Sequence, residues 1–176
     1  MSYSTLRTYT VQSELSLSAA AFIIAGVSFA ALAGAWGLQL IGGYEPCPLC
    51  LEQRIPYYLA IPGGLLAVFL AGKAPRLAAL VLAAICAALI YNVGLGIYHA
   101  GAEWHFWPGP DTCGGGGSLR VGKLSQTLRN APAVRCDEAA LRIFGLSLAG
   151  YSVLISAALA AIGAAAIWRA KPWHSG

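Results

Sequence analysis

The stretch LAALVLAAICAALIYNVGLGIYHAGA, residues 77–102, contains no Asp, Glu, Lys or Arg and carries His99 as its one basic side chain. It is longer than the roughly 18 apolar residues that signal a bilayer crossing. Three other stretches behave the same way: Leu15 to Tyr44, Ile55 to Gly72 and Ile143 to Trp168. Between them the charges gather in short clusters. Of the whole chain 58% is hydrophobic and only 10% charged, against roughly 25% charged in soluble domains, and the mean hydropathy is +0.66. This balance excludes an ordinary soluble domain. The net charge of +4 is too small in so apolar a chain to indicate a nucleic-acid partner.

The pattern predicts an all-α membrane protein, a four-helix bundle with spans near residues 15–43, 51–72, 77–101 and 143–168 and an N-terminal segment of residues 1–14. Loops near residues 44–50 and 102–142 share one face, and a tail follows from residue 169. Ala31-Leu32-Ala33 resembles a signal-cleavage site, but the apolar run continues through Trp36, Leu38, Leu40 and Ile41, beyond the length of a signal-peptide core. A span is therefore expected there. Lys73 and Arg76 sit in a minimal connection, and basic residues in short loops favour the cytoplasmic side. That side would also hold Arg7, Arg169 and Lys171, leaving Arg54, Arg120, Lys123, Arg129, Arg135 and Arg142 on the opposite face.

The polar lead, residues 1–14, is expected to be either amphipathic or disordered. Pro48 suits the first turn of a helix, which places Cys47 at the opening of the second span. Pro56, Pro62 and Gly63-Gly64 are expected to bend or loosen that helix. In the long loop, Trp104, Phe106 and Trp107 match an interfacial aromatic belt, and Gly114 to Gly117 form a tether. Val121, Leu124 and Leu128 allow a short interfacial helix as readily as a solvated loop.

Five cysteines remain to be sorted. Cys86 lies among alanines inside the third span, where a thiol acts as a small hydrophobe. Cys47, Cys50, Cys113 and Cys136 all fall in the two loops that share a face, and persistent disulfides imply an oxidising compartment there. Cys47 and Cys50 supply half of a zinc site, but the spacing of Cys113 and Cys136 does not resemble the other half. Covalent haem attachment requires a histidine after the second cysteine, where this chain has Leu51. A structural Cys113–Cys136 disulfide, contributing about 3 kcal/mol, leaves the first pair unexplained. A redox role uses all four. Cys47 and Cys50 at a helix N-terminus are expected to have lowered pKa values. Arg54 stands four residues after Cys50 on the same face, placed to favour a thiolate and donate to a carbonyl acceptor; the alternative is an arginine snorkelling to headgroups. His99, near the end of the third span, is a candidate by virtue of being ionisable there. His105 and His174 are expected at the surface.

CPLCLEQR (residues 47–54), WPGPDTC (107–113) and RCDEAALRIFGLSL (135–148) together resemble the disulfide bond formation protein B (DsbB) family, over about residues 15–168. The resemblance implies a bacterial inner-membrane protein-dithiol:quinone oxidoreductase with cytoplasmic termini and periplasmic cysteine loops. A reduced DsbA-like thioredoxin-fold partner would attack Cys113 and release Cys136, and Cys136 would attack Cys47. Cys50, freed as a thiolate, would pass the electrons to ubiquinone, or menaquinone, held by Arg54 and His99. Metal is not implied. This chain departs from the family in having Gln53 where the best-known members have glutamate, and Pro48 stiffens the cysteine turn. Vitamin K epoxide reductase is also similar in its four spans and two thiol pairs, but its pairs come in the reverse chain order. A non-enzymatic scaffold or transporter, with a structural loop disulfide and a metal-binding Cys-x-x-Cys, is the remaining alternative.

Overall fold

The structure, a computed structural model, describes residues 3–110 and 136–170, and the side chains of its first helix from Leu17 onward. Among the described residues, four helices are long and apolar enough to cross a membrane, over Leu17–Leu40, Pro48–Ala71, Pro75–Glu103 and Leu148–Ala170. They belong to α1 (Tyr3–Leu40), α2 (Pro48–Ala71), α3 (Pro75–Glu103) and α4 (Leu148–Ala170). The chain is an all-helical multi-pass membrane protein. In lipid every backbone polar group needs an internal partner, so uninterrupted helices are the available solution for such apolar segments.

The helices form a closed ring in which α1 packs on α2, α2 on α3, α3 on α4, and α4 back on α1. Leu17, Ile24, Leu82 and Leu89 fill its centre, and Ala21, Ala60, Ala67, Ala71 and Ala78 let the backbones approach. Small residues serve this purpose because the lipid removes the hydrophobic drive between helices. Large side chains such as Phe22, Phe29, Phe69 and Trp168 point outward. A buried polar knot also ties three helices together. Tyr57 Oη of α2 lies 2.8 Å from Ser156 Oγ of α4, and Asn92 Nδ2 of α3 donates to the same oxygen at 2.9 Å.

Local sequence explains the helix ends. Cys47 caps α2, with extended backbone and its sulfur accepting the Cys50 N–H, while Pro48 occupies the first turn. Pro56 and Pro62 lie inside α2, which continues through both. At the end of α3, His105 adopts a left-handed conformation (φ 60°). Its N–H then bonds the Ala102 carbonyl, and the Phe106 N–H bonds that of Gly101, the paired bonds of a Schellman ending. Trp107 folds back over α3, stacking on Tyr98 and donating to its carbonyl at 2.8 Å. A side chain at Gly101 would strike this ring.

The polar lead is helical from Tyr3 and continuous with the first span. One expectation needs correction. The fourth span begins at Leu148 rather than Ile143, because β1 (Arg142–Ile143) and β2 (Leu146–Ser147) form an antiparallel hairpin. Left-handed Phe144 (φ 50°) and Gly145 (φ 82°) make its turn, a conformation no helix can contain. Cys113, the Gly114 to Gly117 tether, the segment around Val121, Leu124 and Leu128, and His174 lie outside the described residues.

A Cβ at Gly64 would come within 2.8 Å of the Ala21 carbonyl oxygen and 3.0 Å of Ala25 Cβ, whereas one at Gly26 would meet nothing within 4 Å. Gly64→Ala is expected to cost about 1–3 kcal/mol by overpacking, read as a lower unfolding midpoint in detergent. Gly26→Ala should leave that midpoint unchanged or raise it slightly.

Candidate active site

The end of the bundle where α2 begins and α3 ends gathers the reactive side chains. Cys47 and Cys136 are buried there, 3% and 0% exposed, and pack with Leu49, Cys50 and Leu95. Cys136 precedes the hairpin and α4, so three separate parts of the chain converge. Cys47 Sγ, Cys136 Sγ and a ring nitrogen of His99 lie within 4.8 Å of one another. Cys136 is disulfide-bonded, whereas Cys47, Cys50 and Cys86 are free thiols. In this oxidation state Cys136 has no thiolate to offer, which a three-ligand zinc centre would require. Cys86 lies far down α3 beside the Ala160 carbonyl, 3.7 Å away.

Cys47 donates to Cys50 across 2.7 Å, and its sulfur also accepts the Cys50 N–H at 3.2 Å. The thiol–thiol hydrogen bond, reinforced by burial, holds the Cys47 thiol well above its ordinary range. This corrects the lowered pKa expected from the helix N-terminus: for a sulfur that serves as donor to a second sulfur, the capped N–H is the weaker influence.

His99 is 2% exposed. The Gln53 amide donates to its Nδ1 at 2.7 Å, while its Nε2 faces Cys47 Sγ at 3.6 Å and Glu103 Oε1 at 3.7 Å. Arg54 reaches across to α1. Nη1 donates to Gln39 Oε1 at 2.7 Å, Nη2 to the Ala35 carbonyl at 3.4 Å, and the guanidinium lies 5.5 Å from the Trp36 ring centroid. Trp36 is fixed in turn by donating to Tyr58 Oη at 2.6 Å. These contacts hold Arg54, half-buried, against α1.

Cys50, Gln53, Arg54 and His99 all line one cavity of about 280 Å³, completed by Tyr57 and by apolar residues of α1 and α4 such as Leu38 and Ile155. This is close to the lower end of the roughly 300–1,000 Å³ typical of small-molecule sites. Cys47 is absent from its wall. The arrangement is graded: Cys136 meets Cys47, Cys47 meets Cys50, and Cys50 opens on the cavity.

Sequence reasoning selected Cys47, Cys50, Cys136, Arg54 and His99, and the fold brings them together. It noted Gln53 only as a departure and overlooked Glu103, Gln39, Trp36 and Tyr57. A carboxylate one helical turn after His99, at the end of an otherwise uncharged run, was the available signal for Glu103.

Four spans around a buried thiol cluster define a multi-pass membrane protein organised for cysteine chemistry. Residues 18–166 match the family described as disulfide bond formation protein DsbB, and the chain belongs to that family. It is therefore a membrane disulfide bond formation protein. Among curated proteins it is similar to the uncharacterized protein RP370 of Rickettsia prowazekii, 26% identical over 141 residues that cover 78% of this chain and 80% of the relative. No solved structure matches the chain.

The thiol geometry makes a direct prediction. In the reduced protein at neutral pH, site-resolved alkylation should label Cys50 well ahead of Cys47, since Cys47 is buried and held protonated. Cys50→Ala removes the largest cause of the upward shift, so Cys47 should then alkylate faster and over a lower pH range. Equal labelling of the two thiols in the parent protein would contradict this.

Proposed function

We propose that the chain is a protein-dithiol:quinone oxidoreductase. In this reading it reoxidises a DsbA-like thioredoxin-fold protein and delivers the electrons to ubiquinone or menaquinone. The observation that carries it is the graded series of sulfurs, from Cys136 through Cys47 to Cys50, ending at a largely apolar cavity beside Arg54 and His99. The partner's thiolate attacks Cys113 of a Cys113–Cys136 disulfide and frees Cys136. Cys136 attacks Cys47 of the Cys47–Cys50 disulfide, and Cys50 departs as a thiolate. The partner's second thiol then displaces Cys113 and leaves the partner oxidised, and Cys113 displaces Cys47 from Cys136, so the Cys113–Cys136 disulfide re-forms and Cys47 and Cys50 are left reduced.

The cavity fits a quinone head group. Its walls are mainly apolar, and Cys50, Gln53, Arg54 and His99 are among its polar groups. Arg54 uses part of its donor set on α1 and retains others for a carbonyl. His99 also lines the wall, and Leu38, Tyr57 and Ile155 complete it. A bound quinone supplies a two-electron, two-proton sink. Lys73 and Arg76 lie at the opposite end of the bundle, where α2 turns into α3, and Arg169 at the same end of α4. This supports a cytoplasmic location for that end and a periplasmic one for the cysteines, in the inner membrane.

Quinone-coupled oxidation of a reduced thioredoxin-fold dithiol, followed by quinone absorbance, tests the proposal. Cys47→Ser, Cys50→Ser, Cys113→Ser and Cys136→Ser should each abolish turnover, while Cys86→Ser should retain it. Full activity in Cys50→Ser rejects the reading. Arg54→Met should raise the quinone KM or slow quinone reduction by roughly tenfold or more, the loss of a charge-assisted hydrogen bond, without preventing Cys136 from exchanging with Cys47.

A further inference from the structure

Glu103 is a carboxylate 6% exposed, and among the described residues no other Asp, Glu, Lys or Arg is buried. Its Oε1 lies 3.7 Å from His99 Nε2, and its buried Oε2 has no hydrogen-bond partner. Leaving a buried carboxylate oxygen unsatisfied is unfavourable, and the fold tolerates it here one helical turn beyond a histidine that faces the Cys47 thiol. Glu103 does not line the cavity; His99 does.

Resting on the thiol oxidase reading above, we propose that Glu103 is the proton store of the site, acting through His99 to take the Cys47 proton as the Cys47–Cys50 disulfide re-forms. Making that S–S bond breaks the Cys47 S–H bond and removes two electrons from the sulfur pair, which pass to the quinone in the cavity. Quinol formation there consumes two protons. One is the Cys47 proton, and the other is drawn from water, replacing a proton that the partner's dithiol released to water when it was oxidised.

The geometry provides the route. His99 Nε2 is 3.6 Å from Cys47 Sγ and 3.7 Å from Glu103 Oε1, so one nitrogen can receive the proton and hand it on. For Nε2 to accept, the ring's other proton must sit on Nδ1. A half-turn of the Gln53 amide presents Oε1 to Nδ1 in place of the N–H that now meets it at 2.7 Å. An amide can serve both ring tautomers in this way, whereas an ionised carboxylate only accepts. Protonated His99 would then be bonded to Gln53 on one side and Glu103 on the other. The proton rests on the carboxylate until the cavity draws it back through the imidazole.

The groups facing Glu103 are His99 on its own helix, Arg142 of β1, Ser147 of β2, and Cys47 and Cys50 at the start of α2. Arg142 Nη2 donates to the Glu103 backbone carbonyl at 3.4 Å, and the Ser147 hydroxyl bonds the carboxylate. Glu103 is a positioning residue, and its effect on Cys47 has a sign that separates it from simpler roles. A bare negative charge beside Cys47 discourages the thiolate, so removing it would speed alkylation. A relay partner stabilises the imidazolium that accompanies the thiolate, so removing it slows alkylation.

The experiment uses reduced, quinone-stripped protein carrying Cys50→Ala and Cys86→Ser, with Cys47 alkylation followed by mass spectrometry across pH. Glu103→Gln is expected to slow Cys47 at neutral pH by roughly three- to tenfold, Glu103→Asp to stay near the parent, and Glu103→Gln to have no effect when His99 is already Asn. In otherwise unaltered protein with a short-chain ubiquinone, Glu103→Gln should lower kcat roughly ten- to hundredfold near neutral pH, recovering as pH rises, with the quinone KM unchanged. Unchanged or faster alkylation in Glu103→Gln overturns the proposal. So does a loss that persists in the His99→Asn background, which marks a structural role. If the parent chain reduces no quinone, the oxidase reading fails, and the alkylation series still decides the relay.

Discussion

The position of Cys47 is the constraint on which the rest of this structure depends. Its sulfur accepts the Cys50 N–H as the cap of α2, donates to Cys50 Sγ, faces His99 on α3 and lies within 4.8 Å of Cys136 Sγ. Helix caps are usually Ser, Thr, Asp or Asn, chosen for their oxygen acceptor. Here the capping atom is a thiol sulfur, so whatever fixes the start of α2 also fixes where that sulfur sits. Pro48 contributes by pre-setting the first helical residue, and burial beneath Leu49 and Leu95 excludes water from the cluster.

A second constraint operates on the cavity side. A cationic side chain in an apolar bundle has to be satisfied or it will seek the interface. Arg54 is satisfied by α1, through Gln39, the Ala35 carbonyl and the Trp36 face. The guanidinium therefore links two helices while lining the cavity with Cys50. The polar knot of Tyr57, Asn92 and Ser156 does similar work deeper in the bundle. Both clusters place hydrogen-bonding side chains where the bilayer offers no water, and in each case the partners come from different helices.

The four spans were legible in the sequence because a bilayer imposes a length and a lack of charge that short windows reveal directly. The Cys-x-x-Cys pair and Arg54 were legible because their spacing is local. Gln53 and Glu103 were harder, since each acquires its place by meeting His99, and the Gln53–His99 contact joins residues 46 positions apart. Gln39 and Trp36 were hidden for the same reason. The hairpin at residues 142–147 was missed because Ile143, Phe144 and Leu146 extend the apolar run of the fourth span, and backbone handedness leaves little trace in hydropathy. The pKa of Cys47 went the other way because the second thiol lies closer than any helix dipole acts.

The packing of Trp107 on α3 bears on how substrates gain access. Trp107 is seated over Gly101 and bonded to the Tyr98 carbonyl, so the chain leaving α3 starts from a fixed foothold. Cys136, where the described chain resumes, is fully buried against Cys47 at the same end of the bundle. Both feet of the intervening segment are thus planted on one platform. The second foothold is also in contact with Cys47, the residue that caps α2.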